Sequence, residues 1–153
     1  MSVLTPGSRY RRAMAAEHID PTKEQFAYFR SIERSGPIHM LNLVRLRAKA
    51  RYEDGRDATG EEAYRSYARE SGPVFQRVGG KQFWLGRFEA MVIGPVEERW
   101  DKVFIAEYPS ASAFTEMLRA PVYREAVKHR QAAVEDSRLI RIEPRAAGPH
   151  FGE

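Results

Sequence analysis

The sequence predicts an α+β domain built on a four-stranded antiparallel sheet, and three observations lead there. Val103 to Ile142 reads as strand, short helix, longer helix, strand. Ile38 to Leu46 is an almost unbroken apolar run, followed by a capped helix and a second strand, so the first half matches the second in kind. At 153 residues, 42% hydrophobic and 30% charged, the chain has the size and balance of one ordinary globular domain. Such a chain buries roughly 70% of its unfolded surface and needs no metal or disulfide to hold it.

Each element has a local reason. Residues 1–19 carry little apolar pattern and read as an arm. Asp20-Pro21 is a helix start, a capping side chain followed by proline at the first helical position. Phe26, Phe29 and Ile32 follow at helical spacing, and Ser35-Gly36-Pro37 ends the helix. The run IHMLNLVRL at 38–46 fits a strand covered on both faces, with Asn42 its polar exception. YEDGRDATG is a loop, and Thr59 with Glu62 forms the capping box of the next helix. Pro73 is expected to kink or divide that helix, and Gly79-Gly80 to stop it. Residues 81–93 read as the second strand, Lys102 to Tyr108 as the third, and 138–143 as the last. Between the last two, Pro109-Ser110 caps a short helix through Leu118, and Pro121 begins another. From Pro144 the chain is rich in Gly and Pro and reads as a flexible tail at 144–153, which leaves 20–143 as the single domain.

Composition excludes several classes. Without cysteine there is no disulfide, thiolate nucleophile or cysteine-based metal site. The four histidines lack metal-ligand spacing, so neither a metal nor a cofactor is expected. No apolar run approaches the ~20 residues of a membrane span. The order of charge and apolar residues at the start is the reverse of a secretory signal, so a cytoplasmic location is expected. The net charge of +4 comes from basic residues scattered among acids. Only Arg9–Arg12 and Val44–Arg51 are locally basic, and nucleic acid is not an expected partner. Dinucleotide, nucleotide-triphosphate and α/β-hydrolase motifs are absent.

After the first helix the order is β-α-β-β-α-β, with the second α in two pieces. That is the ferredoxin-like split βαβ arrangement. Helices cover one face of such a sheet. The first strand is apolar on both, with Ile38, Met40, Val44 and Leu46 against Leu41 and Leu43. A second copy packed sheet to sheet would cover the remainder, so a homodimer is expected.

MLNLVR, EEAYRSYARE, GPVFQRVGGK, AEYPSASAFTEMLRAPVYREAVKHR and DSRLI together resemble the family catalogued as domain of unknown function 1330, in the dimeric α/β-barrel superfamily. The resemblance covers about residues 37–142. It implies a ferredoxin-like fold and a sheet-to-sheet dimer, and it supplies no reaction or catalytic residue. Related branches of that superfamily include cofactor-free monooxygenases, haem-degrading enzymes and isomerases, a link by analogy alone.

The candidate site residues follow from polar groups in apolar patterns. Arg130 shares a helix stripe with Tyr123, Ala126, Val127, Ala133 and Val134. It needs a carboxylate or carbonyls, with Glu107 the first candidate and Asp136 or Glu143 the alternatives. It is either half of an ion pair or an anion anchor at a pocket floor. His129 sits at the edge of that stripe, and His39 begins the first strand. Either could be a general base or a boundary histidine. Asn42 must be hydrogen-bonded if buried, to backbone or to a ligand. Tyr64 and Tyr67 share the helix face toward the sheet, and Trp84 and Arg87 lie on opposite strand faces. Aromatic residues so spaced form either core or the wall of a mostly apolar pocket. Arg130, His129 and Asn42 are thus the candidate catalytic groups, and Tyr64, Tyr67, Glu107 and Trp84 the candidate ligand contacts. The acids Asp54, Asp57, Glu61 and Glu62 read as a solvated loop and helix start. The expected ligand is a small organic molecule. The expected activity is a cofactor-independent monooxygenase or isomerase, or else non-catalytic binding.

Overall fold

In this computed structural model residues 17–152 are described. The elements run α1 (Lys23–Ser31), β1 (Ile38–Leu46), α2 (Gly60–Arg77), β2 (Lys81–Gly86), β3 (Lys102–Tyr108), α3 (Ala111–Arg119), α4 (Pro121–Ala133) and β4 (Val134–Ile142). The strands pair antiparallel in the order β2-β3-β1-β4, the ferredoxin-like arrangement preceded by one extra helix. The sheet is open, with β2 and β4 as its edges. No helix among the described residues is long and apolar enough to cross a membrane.

Alternation along β1 assigns the two faces. Ile38, Met40, Val44 and Leu46 are buried against the helices, and Asn42 shares their side. Register places Phe104, Ala106 and Tyr108 of β3 and Ser137, Leu139 and Arg141 of β4 on the same side. His39, Leu41 and Leu43 face the other way, beside Val103, Ile105, Glu107, Ile140 and Ile142. No described element covers that second face, and Trp84, Ile140 and Ile142 stay 48%, 45% and 37% exposed on it.

Beneath the helices the core has two centres. Ile38, Met40, Val74, Tyr108, Phe114, Met117 and Tyr123 form one. Val44, Leu46, Ala63, Tyr64, Ala132, Ala133 and Val134 form the other. Tyr67 packs against both. Each fully buried aliphatic side chain here contributes about 1.5–3 kcal/mol.

Several boundaries differ from expectation, each for a local reason. The cap of α1 is Thr22, not Asp20. Thr22 Oγ1 accepts the Gln25 N–H at 3.1 Å and Gln25 Oε1 accepts the Thr22 N–H at 3.3 Å, a complete capping box. Asp20 instead accepts from Gln131 of α4. The helix ends at Ser31, before the Ser35-Gly36-Pro37 signal. Pro73 does not divide α2, which runs on for four residues to Arg77, with Val74 buried at the turn that follows the proline. Gly79, at φ +89°, then donates to Gln76 O and Gly80 to Phe75 O, the Schellman pattern that only glycine fits easily. β2 stops at Gly86 rather than Ile93. Its pairing slips between Gln82 and Trp84, and the Trp84 ring lies over Gly86, leaving the remainder as an irregular connection to β3. β4 begins at Val134, four residues earlier than expected, directly after α4. Residues 1–16 of the expected arm lie outside the described residues. Its last part is held, with the His18 N–H donating to Asp136 Oδ1 at 3.0 Å and Ile19 packed on the second core centre.

The close approach of α2 to the end of β1 rests on Gly60. A Cβ there would lie 1.9 Å from the Arg47 carbonyl oxygen. Gly60→Ala should therefore cost about 1–3 kcal/mol, read as a lower urea midpoint at unchanged slope. An unchanged midpoint would show that α2 can shift freely.

Candidate functional site

The extra helix α1 leaves a space between the sheet and α2 and α4. The result is a cleft of about 1920 Å³, walled mainly by Phe26, Phe29, Met40, Phe104, Tyr108 and Phe114. Four of the residues singled out from the sequence line it: Asn42, Tyr64, Tyr67 and Arg130. β1 brings Asn42 there because position 42 shares the face of Met40 and Val44. α2 brings the two tyrosines because positions 64 and 67 are one helical turn apart.

Asn42 donates from Nδ2 to the Met40 carbonyl at 3.0 Å. No described donor reaches its Oδ1, which remains available to the cleft. The Tyr67 and Tyr123 hydroxyls are 3.0 Å apart and hydrogen-bonded. Burial pushes the Tyr64, Tyr108 and Tyr123 phenols far above the usual tyrosine range, and the neighbouring tyrosines push the same way. These three groups hold their protons at neutral pH. They act as hydrogen-bond donors and cannot serve as bases.

Arg130 donates through Nη1 to the Ile19 carbonyl and through Nη2 to Ser137 Oγ at 3.2 Å. Ser137 Oγ in turn donates to the His18 carbonyl at 2.6 Å. The expected ion pair with Glu107 is absent, and alternation is the reason. Val103, Ile105 and Glu107 do share a face, but it is the uncovered one, across the sheet from α4. There Glu107 meets His39 Nε2 at 2.7 Å and Lys81 Nζ at 3.3 Å, with the Phe83 ring 4.3 Å from the imidazole. Asp136 is held by Arg138 at 2.9 Å and by the His18 and Ser137 N–H groups, not by Arg130.

Trp84 and His129 are also placed outside the cleft. Trp84 pairs with Ile105 on the uncovered face. His129 is fixed between Tyr52 and Glu70, with Nδ1 at 2.7 Å from the Tyr52 hydroxyl and Nε2 at 2.8 Å from Glu70 Oε2. This histidine ties the 51–58 loop to α2 and α4. One helical residue, about 100°, separates it from Arg130 and removes it from the cleft.

Sequence reasoning missed Tyr123, Ser137 and Arg141, all of which line the cleft. Tyr123 was on the Arg130 stripe, so the signal existed. Ser137 was obscured because the last strand was read as starting at 138, and Arg141, inside that strand, because its face depends on the register with β1. Alternation from Ser137 through Leu139 to Arg141 would have put all three on the helix side.

Residues 55–143 match the family model described as domain of unknown function (DUF1330). No curated protein matches the chain. Two solved structures are similar over most of its length. The methylated RPA0582 protein is 69% identical, with a TM-score of 0.85, covering 86% of this chain and 98% of that one. RPA0582 from Rhodopseudomonas palustris, described as a protein of unknown function, is 67% identical, with a TM-score of 0.84, covering 86% and 100%. SnoaB, a cofactor-independent oxygenase from Streptomyces nogalater, is 16% identical, with a TM-score of 0.48, covering 76% and 100%, too distant to inform the chemistry.

Glu107 yields a pH prediction. Its bond to His39, helped by Lys81, holds its carboxyl below the usual carboxylate range. A carboxylate with a depressed folded pKa contributes stability above its unfolded pKa, and that contribution is lost as pH falls through the folded value. The wild type should exceed Glu107→Gln in melting temperature at pH 7, and the gap should shrink as pH falls below the usual carboxylate range. Melts across that range check it, and a gap that persists in acid would assign the effect to packing.

Proposed function

The chain belongs to the family described as domain of unknown function 1330, and from that premise we propose that it binds a small, largely apolar organic molecule in the cleft between sheet and helices. The cleft itself carries this reading. Aromatic and methionine side chains line it together with the convergent polar groups of Asn42 Oδ1, the tyrosine hydroxyls and Arg130, the pairing of apolar wall and polar anchors that small-molecule sites use, and exposed charged side chains such as Glu24, Arg65 and Arg87 line it as well. Glu107, Trp84 and His39 belong to a different role, the meeting of two open sheet faces in a homodimer. The exposed apolar side chains of that face support this pairing.

The polar groups favour holding a ligand over proton abstraction. Protonated tyrosines and a permanently charged arginine can donate to a ligand oxygen and stabilise negative charge developing there. A cofactor-independent oxygenase or isomerase working through an enolate is the catalytic extension of this reading, with Arg130 and Tyr64 as the stabilising groups. His129 lies too far around α4 to serve it as base, which favours the non-catalytic alternative.

Two measurements test this. Leu139 faces the cleft and is 42% exposed, so Leu139→Trp should obstruct it beside Asn42 with little effect on folding. Saturation-transfer NMR with the neutral probe 2-naphthamide should show binding to the wild type and its loss in that variant. Absence of binding to the wild type would overturn the reading. Light scattering should give twice the chain's 17.6 kDa, reduced to one chain by Trp84→Asp. A monomeric wild type would remove the dimer.

A further inference from the structure

Resting on the cleft reading above, we propose that the cleft selects an apolar molecule bearing a carboxylate and that Arg141 is the group that anchors it. Arg141 lines the cleft from β4. Its Nη1 donates to the Phe29 carbonyl of α1 at 2.9 Å, and its guanidinium lies over the Phe29 ring, 4.8 Å from the centroid. Its Nη2 is buried and has no hydrogen-bond partner among the described residues. A buried donor left unmade is costly, and a buried charge without a counter-ion more so.

No described carboxylate neutralises it. Of the six acids lining the cleft four are committed: Glu61 to Lys102 at 2.8 Å, Glu17 to Arg47 at 3.3 Å, Asp101 to the Leu46 N–H at 2.7 Å and Asp20 to Gln131 at 3.2 Å, while Glu24 and Glu89 form no ion pair with Arg141 among the described residues. Residues 1–16 contain neither Asp nor Glu, and Glu153 is the one acid outside the described residues. The nearby charge of Arg34 and burial both act against the guanidinium's protonated form, yet arginine does not give up its proton at neutral pH. A ligand carboxylate supplies both the missing acceptor for Nη2 and the missing counter-charge, in the planar fork that suits arginine.

Arg130 is the weaker anchor, since both its terminal nitrogens already donate to protein oxygens. The apolar body of the ligand then follows the strand. Ser137, Leu139 and Arg141 alternate along one face of β4, so the Arg130 contact and Arg141 stand about 13 Å apart, with Leu139 between them. α1 shields the Arg141 end, with Phe26 and Phe29 packed on the core beside it and no fully buried residue of its own.

The test compares 2-naphthoate with the isosteric neutral 2-naphthamide by calorimetry on the full chain. The expected result is binding of both, with the acid tighter by about tenfold or more. That preference should disappear in Arg141→Gln and survive in Arg130→Gln. If Arg141→Gln fails to fold, Arg141→Lys carries the test, because loss of the fork should cut the preference severalfold. Equal binding of acid and amide would leave the cleft reading standing and overturn the anchor. Binding of neither would overturn both. A preference lost in Arg130→Gln but kept in Arg141→Gln would overturn the assignment to Arg141.

Discussion

The structure depends on the two-sidedness of β1. As a strand with neighbours on both sides, it carries Ile38, Met40, Val44 and Leu46 into the space under the helices and turns His39, Leu41 and Leu43 to the opposite face. Because the side-chain period is two, no residue of the sheet serves both faces. One side becomes the cleft with its surrounding core, and the other a largely apolar face that no described element covers. Glu107 and Arg130 are kept apart by this rule alone.

Within the covered side, polarity is concentrated where the two core centres meet. Asn42 stands between Met40 of one centre and Val44 of the other, and Tyr67 packs on both. Arg130 enters the same region from α4 and is satisfied by the Ile19 carbonyl and Ser137 Oγ rather than by an acid, while Ser137 Oγ donates on to the His18 carbonyl. Two consequences follow. The N-terminal segment is stitched to β4 through the floor of the cleft, and the arginine keeps its full positive charge there. Buried tyrosines that retain their protons complete a lining rich in donors and poor in bases, which suits an oxygen-bearing ligand more than a reaction beginning with proton removal.

The ring of groups around His129 shows how fine the division is. His129 and Arg130 are adjacent in sequence, yet one faces Tyr52 and Glu70 and the other faces the cleft. The histidine has a structural task in pinning the 51–58 loop, while the arginine holds the segment before α1. The candidate chemistry of the molecule therefore rests on residues separated in sequence, from β1, α2, α4 and β4, and on the space that α1 leaves between them.

Much of the fold was legible in the residues themselves. The β-α-β-β-α-β order, the Thr59 cap, the Gly79-Gly80 stop and Pro121 at a first turn are local signals, set by backbone conformation and hydrogen-bond chemistry within a few positions. Asn42, Tyr64, Tyr67 and Arg130 were legible as polar or amphipathic groups in apolar patterns, for the same reason. Partners were not. Whether Arg130 meets Glu107, and whether Arg141 meets any acid, depends on which sheet face each strand offers to α4 and α1, and on a β4 that starts at Val134 rather than 138. Those are properties of register and packing between distant segments, and only the tertiary structure decides them, because a shift of one residue sends a side chain to the other side of the sheet.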